Sequence, residues 1–169
     1  MEHVHDSPIQ NQSLIEEIVA LKEEHNAVIL AHNYQRPEIY DIADFIGDSL
    51  ELSLAAREAR SECIIFCGVD FMAETAKILS PDANVYLPVE KARCHMAGMV
   101  SDSEILFLKK KFPDADIVSY VNTPSSTKAL SDICCTSANA IDIIASCASD
   151  TVIFVPDQNL ASYVQRFLD

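Results

Sequence analysis

The chain has 169 residues, 49% of them hydrophobic and 22% charged, which allows one ordinary domain or two small α/β units and excludes wholesale disorder. Acids outnumber bases 26 to 12, and the net charge of −14 argues against nucleic acid or a polybasic membrane surface as a partner. No apolar run reaches the roughly 18 residues that span a bilayer, and the acidic start Met1-Glu2-His3 is no signal peptide. Six cysteines without a secretory signal point to a reducing compartment, so the expected location is the cytoplasm.

In chain order, the first ten or so residues are polar and expected to fray. Ser13-Leu14-Ile15-Glu16 reads as a capping box that opens a helix ending near Asn26. Ala27 to Ala31 is a continuous apolar run of the kind found in buried parallel strands, and it ends in His32-Asn33-Tyr34. A helical segment from about Pro37 follows, then Gly47-Asp48-Ser49 and a helix carrying Leu50, Leu54 and Ala55. Ile64 to Cys67 reads as a strand, Phe71 to Leu79 as a helix stopped by Pro81, and Val85 to Leu87 as a strand leading into Arg93-Cys94-His95-Met96. Ser101 with Glu104 opens another helix by the same capping logic. Strands apolar on both faces that alternate with helices predict parallel sheets covered by helices, with ligands gathered beyond the strands' carboxyl ends.

The pattern recurs. Asp116 to Val121 reads as a further strand, and an offset of 88 positions carries His32 onto Tyr120, Ser49 onto Ser137 and Ile64-Ile65-Phe66 onto Val152-Ile153-Phe154. Both His32 to Ser49 and Tyr120 to Ser137 span 17 positions, and Ala43-Asp44-Phe45 aligns with Ser131-Asp132-Ile133. The repeat divides the chain into an extension and first helix (1–24), a first αβα unit (25–112) and a second unit (113–169) that stops before its third strand.

Several residues suit chemistry. His32 and Tyr34 at a strand end can donate to an anion, although a lone His is about as often a satisfied structural group. Ser49 and Ser137 read as helix caps worth roughly 1 kcal/mol each. Alternatively, a helix start lends a hydroxyl, amides and partial positive charge to a carboxylate, which would offset the acidic global field. Cys94 between Arg93 and His95 is either an inert side chain or a thiolate ligand or nucleophile. Cys134-Cys135 and Cys63/Cys67 lack zinc-site spacing and read as core fillers. There is no glycine-rich phosphate loop and no Gly-x-Ser-x-Gly elbow.

Five strings, Ala31-His32-Asn33-Tyr34-Gln35, Ile42 to Ser49, Gly68 to Glu74, Tyr120-Val121-Asn122 and Cys135 to Ala140, together resemble quinolinate synthase in order and spacing from about residue 13 onward. The resemblance implies three αβα sandwich units with parallel sheets around a pseudo-threefold axis. It also implies an enzyme of NAD biosynthesis that condenses iminoaspartate with dihydroxyacetone phosphate to quinolinate on a [4Fe-4S] cluster. Carried over, Cys94 matches a cluster ligand, His32, Ser49, Tyr120, Val121, Asn122 and Ser137 match substrate-binding positions, and Tyr34 matches a proton-transfer tyrosine. L-aspartate oxidase would be the supplier of iminoaspartate.

The family chain is nearly twice as long. Its other two cluster cysteines, a His-Pro-Glu segment and a pocket threonine have no counterpart up to Asp169, so the expectation is a partial synthase with little activity alone. Two other readings compete: a non-catalytic α/β module that binds a small dicarboxylate or a partner protein, and a thiol enzyme using Cys94 with His95. The last ranks lowest, because adjacent residues rarely set an imidazole on a thiolate.

Overall fold

The computed structural model describes residues 8–168, with side chains from Gln12 onward. Its order is α1 (Pro8–Glu24), β1 (Ala27–His32), α2 (Pro37–Tyr40), β2 (Phe45–Gly47), α3 (Ser49–Glu58), β3 (Cys63–Cys67), α4 (Asp70–Leu79) and β4 (Asn84–Tyr86). There follow α5 (Asp102–Lys111), β5 (Asp116–Tyr120), α6 (Ser125–Ala129), β6 (Ile133–Cys135), α7 (Ala140–Ala145), β7 (Val152–Val155) and α8 (Gln158–Gln165). Every strand pair is parallel, in the orders β2-β1-β3-β4 and β6-β5-β7. The protein is α/β, with αβα layers in each unit.

Two local expectations are corrected. α1 begins at Pro8, so Ser13 lies inside the helix rather than capping it, and the stretch from Pro8 expected to fray is helical. Proline suits a first helical turn, because the hydrogen bond it lacks is not made there anyway. Residues 1–7 of the expected frayed stretch lie outside the described residues. At the other end Asn26 takes the left-handed conformation, φ 47°, that commonly terminates helices. The short strands β2 and β6 were not expected at all. The Ser101 capping box at α5 is present as read, with Ser101 accepting the Glu104 amide and Glu104 accepting the Ser101 amide.

The first compact unit runs to Glu90. On one face of its sheet α3 and α4 bury Leu52, Ala56, Phe71 and Ala76, with Ile64 and Phe66 fully shielded on β3. A buried side chain of this size contributes roughly 1.5–3 kcal/mol. On the other face α1 stands over Ile29 and Ile65, leaving an apolar groove of about 370 Å3. The second unit begins at Lys91. Its sheet carries Val118, Cys135, Ala140 and Val164 between β5, β6, α7 and α8, and Ile105 of α5 with Ile117 and Val155 on the opposite face. The sequence repeat marks where the pattern recurs, at 112/113. Packing divides the chain between Glu90 and Lys91, with α5 counted in the second unit.

The 88-residue repeat holds in the strand register. Leu30 pairs with Phe45 as Val118 pairs with Ile133, and Ile29 pairs with Ile65 as Ile117 pairs with Ile153. Asp44 donates its amide to the Ile29 carbonyl at 2.8 Å and accepts the Ile29 amide on Oδ2 at 2.8 Å. Asp132 makes the same two bonds with Ile117, each at 2.8 Å. A lysine from the preceding helix meets each carboxylate, Lys22 at 2.9 Å and Lys109 at 3.6 Å.

These bonds predict the outcome of two substitutions. Asp132→Ala strips the acceptor from the amide of buried Ile117 and lowers stability by about 1–3 kcal/mol, read from urea unfolding monitored by circular dichroism. Asp132→Asn keeps an oxygen acceptor and should lose clearly less. An equal loss would assign the stability to the Lys109 ion pair instead.

Candidate functional site

In parallel sheets the side chains beyond the carboxyl ends of the strands are the ones free to meet a ligand, and His32, Tyr34, Tyr120, Val121 and Asn122 stand at or just past such ends. In the first unit His32 is the last residue of β1, in register with Gly47 of β2. The chain turns immediately: Asn33 donates its amide to the Gly47 carbonyl at 3.0 Å, Gln35 donates to the His32 carbonyl at 2.9 Å, and the Tyr40 hydroxyl holds the Asn33 carbonyl at 2.8 Å. That turn brings Tyr34 back over His32, their rings edge to face with centroids 4.5 Å apart. The Tyr34 amide donates to His32 Nδ1 at 3.3 Å. In the neutral imidazole the proton therefore sits on Nε2, which is left as a donor. His32 is 6% exposed and Tyr34 90% exposed, a fixed ring beneath a solvent-facing phenol.

Burial lowers the His32 pKa below its ordinary value, and the charge of Asp48 partly opposes that shift. Asp48 is also the true cap of α3. Its carboxylate accepts the amides of Leu50 and Glu51 at 2.8 and 2.9 Å, while Glu51 accepts the Asp48 amide at 2.9 Å. Ser49 is thus the first helical residue, not the cap, and its hydroxyl stands outside the capping box. The reading in which this helix start binds an anion through its amides is corrected as well. Two of those amides are already taken by the protein's own carboxylate, with a second acid beside it.

In the second unit Tyr120 ends β5, in register with Cys135, and Val121 donates its amide to the Cys135 carbonyl at 2.8 Å, repeating the Asn33–Gly47 bond. The Ser137 side chain lies close enough to Tyr120 to influence its titration. Burial raises the Tyr120 pKa; the Ser137 side chain opposes this, and the nearby Asp157, Cys135 and Cys94 add to it. Tyr120 is consequently a neutral phenol at physiological pH. Asn122 is half-buried two residues on. Ser137 does not cap a helix: α7 starts only at Ala140, and Ser137 lies exposed in the preceding turn.

Cys94 is a half-buried free thiol in the irregular segment before a single 3-10 turn at Met96–Gly98. It lies close enough to Tyr120 to affect its titration. Among the described residues no hydrogen bond joins Cys94 to His95, and no group of three or more His, Cys, Asp or Glu side chains could hold a metal ion. Cys94 therefore offers one soft ligand and does not by itself fit a cluster. Cys135 is buried on β6, with its thiol pKa raised to about 11 by burial and by Cys134 and Cys147. Burial also raises Cys67, and Cys147 is raised by burial with Asp116 and Asp132. These three are poor thiolates. The apolar groove under α1 contains none of the predicted site residues.

Asp48 and Asp157 are functional-site neighbours that residue-by-residue reading passed over. Asp48 was signalled by the Asp-x-x-Glu spacing to Glu51, and Asp157 by its place just past the carboxyl end of β7.

The fold and the strand-end clusters define a parallel αβα protein with its polar residues collected at one end of each sheet. Residues 16–169 match the family model described as Quinolinate synthetase A protein, and the chain belongs to that family. It is 58% identical over 156 residues to the quinolinate synthase of Methanoregula boonei, covering 92% of this chain and 52% of that protein. It is 56% identical over 153 residues to the quinolinate synthase of Pyrococcus abyssi, covering 90% and 51%. The Dehalococcoides mccartyi quinolinate synthase is 55% identical over 148 residues, covering 88% and 49%. The chain spans about half the length of these relatives. No helix among the described residues is long and apolar enough to cross a membrane.

The depressed His32 pKa fixes a pH dependence. The unfolded chain binds a proton near pH 6.5 and the folded one only at lower pH. Stability linked to His32 is therefore complete above about pH 6.5 and declines as pH falls toward the folded pKa. An NMR titration should place the His32 midpoint below 6.5, and Asp48→Asn, which keeps a capping oxygen, should lower it further. A midpoint that rises in the variant would contradict the assigned role of Asp48.

Proposed function

We propose that this chain carries part of the active site of a quinolinate synthase, which condenses iminoaspartate with dihydroxyacetone phosphate to quinolinate in cytoplasmic NAD biosynthesis. A supplier of the unstable imine, such as L-aspartate oxidase, is the expected partner. The observation that carries this reading is the pairing of neutral donors at repeat positions within a family whose relatives bear that name. His32 and Ser49 in the first unit correspond to Tyr120 and Ser137 in the second, 88 residues apart.

The chemistry assigned to each residue follows from its state. His32 carries its neutral-form proton on Nε2 and donates it to a substrate carboxylate, held in orientation by the Tyr34 amide. Tyr120, kept protonated by burial, donates its phenol hydrogen, and Ser137 beside it adds a second hydroxyl. Ser49 adds a hydroxyl in the first unit, and Asn122 and the backbone at Val121 add donors in the second. None of these groups carries a positive charge, so the donors of each unit grip a carboxylate by hydrogen bonds rather than ion pairs. Such bonds to a charged group are worth about 1.5–3 kcal/mol each. Tyr34, exposed and stacked edge-on against His32, is the proton-transfer group.

We also assign Cys94 as one thiolate ligand of a [4Fe-4S] cluster. The remaining ligands must come from outside the described residues, which offer no metal-holding group of three. No reaction step is assigned to the cluster. The absence of such a group is equally what a non-catalytic dicarboxylate-binding module would have, and the experiment below separates the two readings.

Anaerobic reconstitution of this chain alone with iron and sulfide should leave no stable broad absorption near about 400 nm, the signature of a thiolate-bound cluster. Adding the separately produced part of the Methanoregula boonei enzyme that this chain does not align with should restore the absorption and quinolinate formation. Cys94→Ser should abolish both, and Cys134→Ala should leave both largely intact. Dicarboxylate binding without turnover in the complemented mixture would favour the module. Retention of the cluster in Cys94→Ser would refute the ligand assignment.

A further inference from the structure

The turn that brings Tyr34 over His32 is held by several backbone bonds. The Asn33 amide donates to the Gly47 carbonyl at 3.0 Å, and the Gln35 amide to the His32 carbonyl at 2.9 Å. The peptide unit joining Asn33 to Tyr34 takes part in neither. It is trans, so its carbonyl and its N–H point in opposite directions. The N–H end meets His32 Nδ1 at 3.3 Å, and the carbonyl end accepts the Tyr40 hydroxyl at 2.8 Å. Tyr40 is the last residue of α2, a single turn opened by Pro37. Rotating that peptide plane would break both bonds at once, so the phenol that holds the carbonyl also fixes where the amide points.

The repeat displays the same turn without an imidazole. His32, Asn33, Gln35 and Tyr40 correspond at 88 positions to Tyr120, Val121, Thr123 and Lys128. The Val121 amide donates to the Cys135 carbonyl at 2.8 Å, as Asn33 does to Gly47. The Tyr120 carbonyl accepts the Thr123 hydroxyl at 2.9 Å, where the His32 carbonyl accepts the Gln35 amide. The Val121 carbonyl, however, is taken by the Thr123 amide at 2.9 Å, and Lys128 donates to the Thr123 carbonyl instead. A donor from the following helix thus anchors the turn in both units. Only in the first does it hold the carbonyl of the residue just past the strand. The Tyr120 phenol has one hydroxyl and no tautomer to select. His32 has two ring nitrogens, and the bond made by one decides which of them carries the neutral-form proton.

We propose that Tyr40 is a positioning residue for His32. By gripping the Asn33 carbonyl it aims the Tyr34 amide at Nδ1, and so keeps the ring proton on Nε2, available to a substrate carboxylate. The influence passes through one peptide plane. The use of Nε2–H by a substrate rests on the quinolinate synthase reading, whereas the tautomer itself can be measured without substrate or cluster.

Nitrogen-15 NMR of the imidazole separates the tautomers, because protonated and unprotonated ring nitrogens resonate far apart. At about pH 8, where an ordinary histidine is neutral, His32 in the native chain should be almost wholly the Nε2–H form. Tyr40→Phe removes one hydroxyl and should raise the Nδ1–H share roughly two- to tenfold, the factor that one ordinary hydrogen bond is worth. Arg36→Ala breaks the exposed Arg36–Glu38 ion pair beside the same turn and should leave the His32 signals unchanged. In the mixture complemented with the Methanoregula boonei part, Tyr40→Phe should lower kcat/KM for the imine by a similar factor, with the cluster absorption intact. The proposal is overturned if Tyr40→Phe leaves the tautomer as it was, or if Arg36→Ala shifts it equally, since the loop as a whole then holds the ring. A shifted tautomer with unchanged kcat/KM would overturn the positioning role. A shifted tautomer in Tyr40→Phe, beside a native mixture that makes no quinolinate, would count for the Tyr40 bond and against the quinolinate synthase reading.

Discussion

Both units depend on one backbone transaction, the two-bond clasp between an aspartate and the first central strand. Asp44 and Asp132 each use a main-chain amide and a carboxylate oxygen to satisfy both polar groups of a central-strand isoleucine. The short edge strand pairs from the next residue onward, at Leu30–Phe45 and Val118–Ile133. The clasp therefore sets where β2 and β6 begin, and so which residues emerge at the carboxyl end. Gly47 is brought level with His32, and Cys135 with Tyr120. The polar residues assigned to the substrate owe their positions to this register, because a one-residue slip would turn every strand side chain to the opposite face.

Much of the architecture was legible because the long signals are physical ones. β1, β3 and β7 are continuous apolar runs in which burial on both faces leaves no polar alternation, and α5 announces itself by a reciprocal Ser–Glu cap. β2 and β6 were not legible. Three residues cannot display a period, and Phe45, Ile46 and Cys134 are exposed at the sheet edge rather than buried. The repeat did align Asp44 with Asp132, but nothing in a bare aspartate announces a bond to a strand fifteen residues earlier.

The candidate site was legible by position more than by mechanism. The strand-end rule selected His32, Tyr34 and the Cys94 segment, and the repeat carried the His32 position onto Tyr120. The caps went wrong because Asp48 and Ser49 are adjacent and both suit a helix start. The spacing to Glu51 fits Asp48, and the amides follow that carboxylate. At Ser137 the expected cap fails for a related reason. Thr136, the counterpart of Asp48, donates its hydroxyl to Asn139 at 3.0 Å instead of receiving amides, and the helix retreats to Ala140. That retreat leaves Ser137 in a turn, beside Tyr120, whose titration it influences.

The same corner holds a lesson about order of change. The Glu51 carboxylate accepts the Asp48 amide at 2.9 Å, and a Cβ at Gly47 would sit 2.8 Å from that carboxylate and 3.0 Å from Glu51 Cβ. In the second unit the shorter Asn139 takes the equivalent Thr136 amide at 2.7 Å, and Cys135 stands where the first unit needs glycine. The two corners are alternative solutions whose halves do not mix freely. Shortening the acceptor at Glu51 removes the 2.8 Å contact, so enlarging Gly47 is easier after that change than before it.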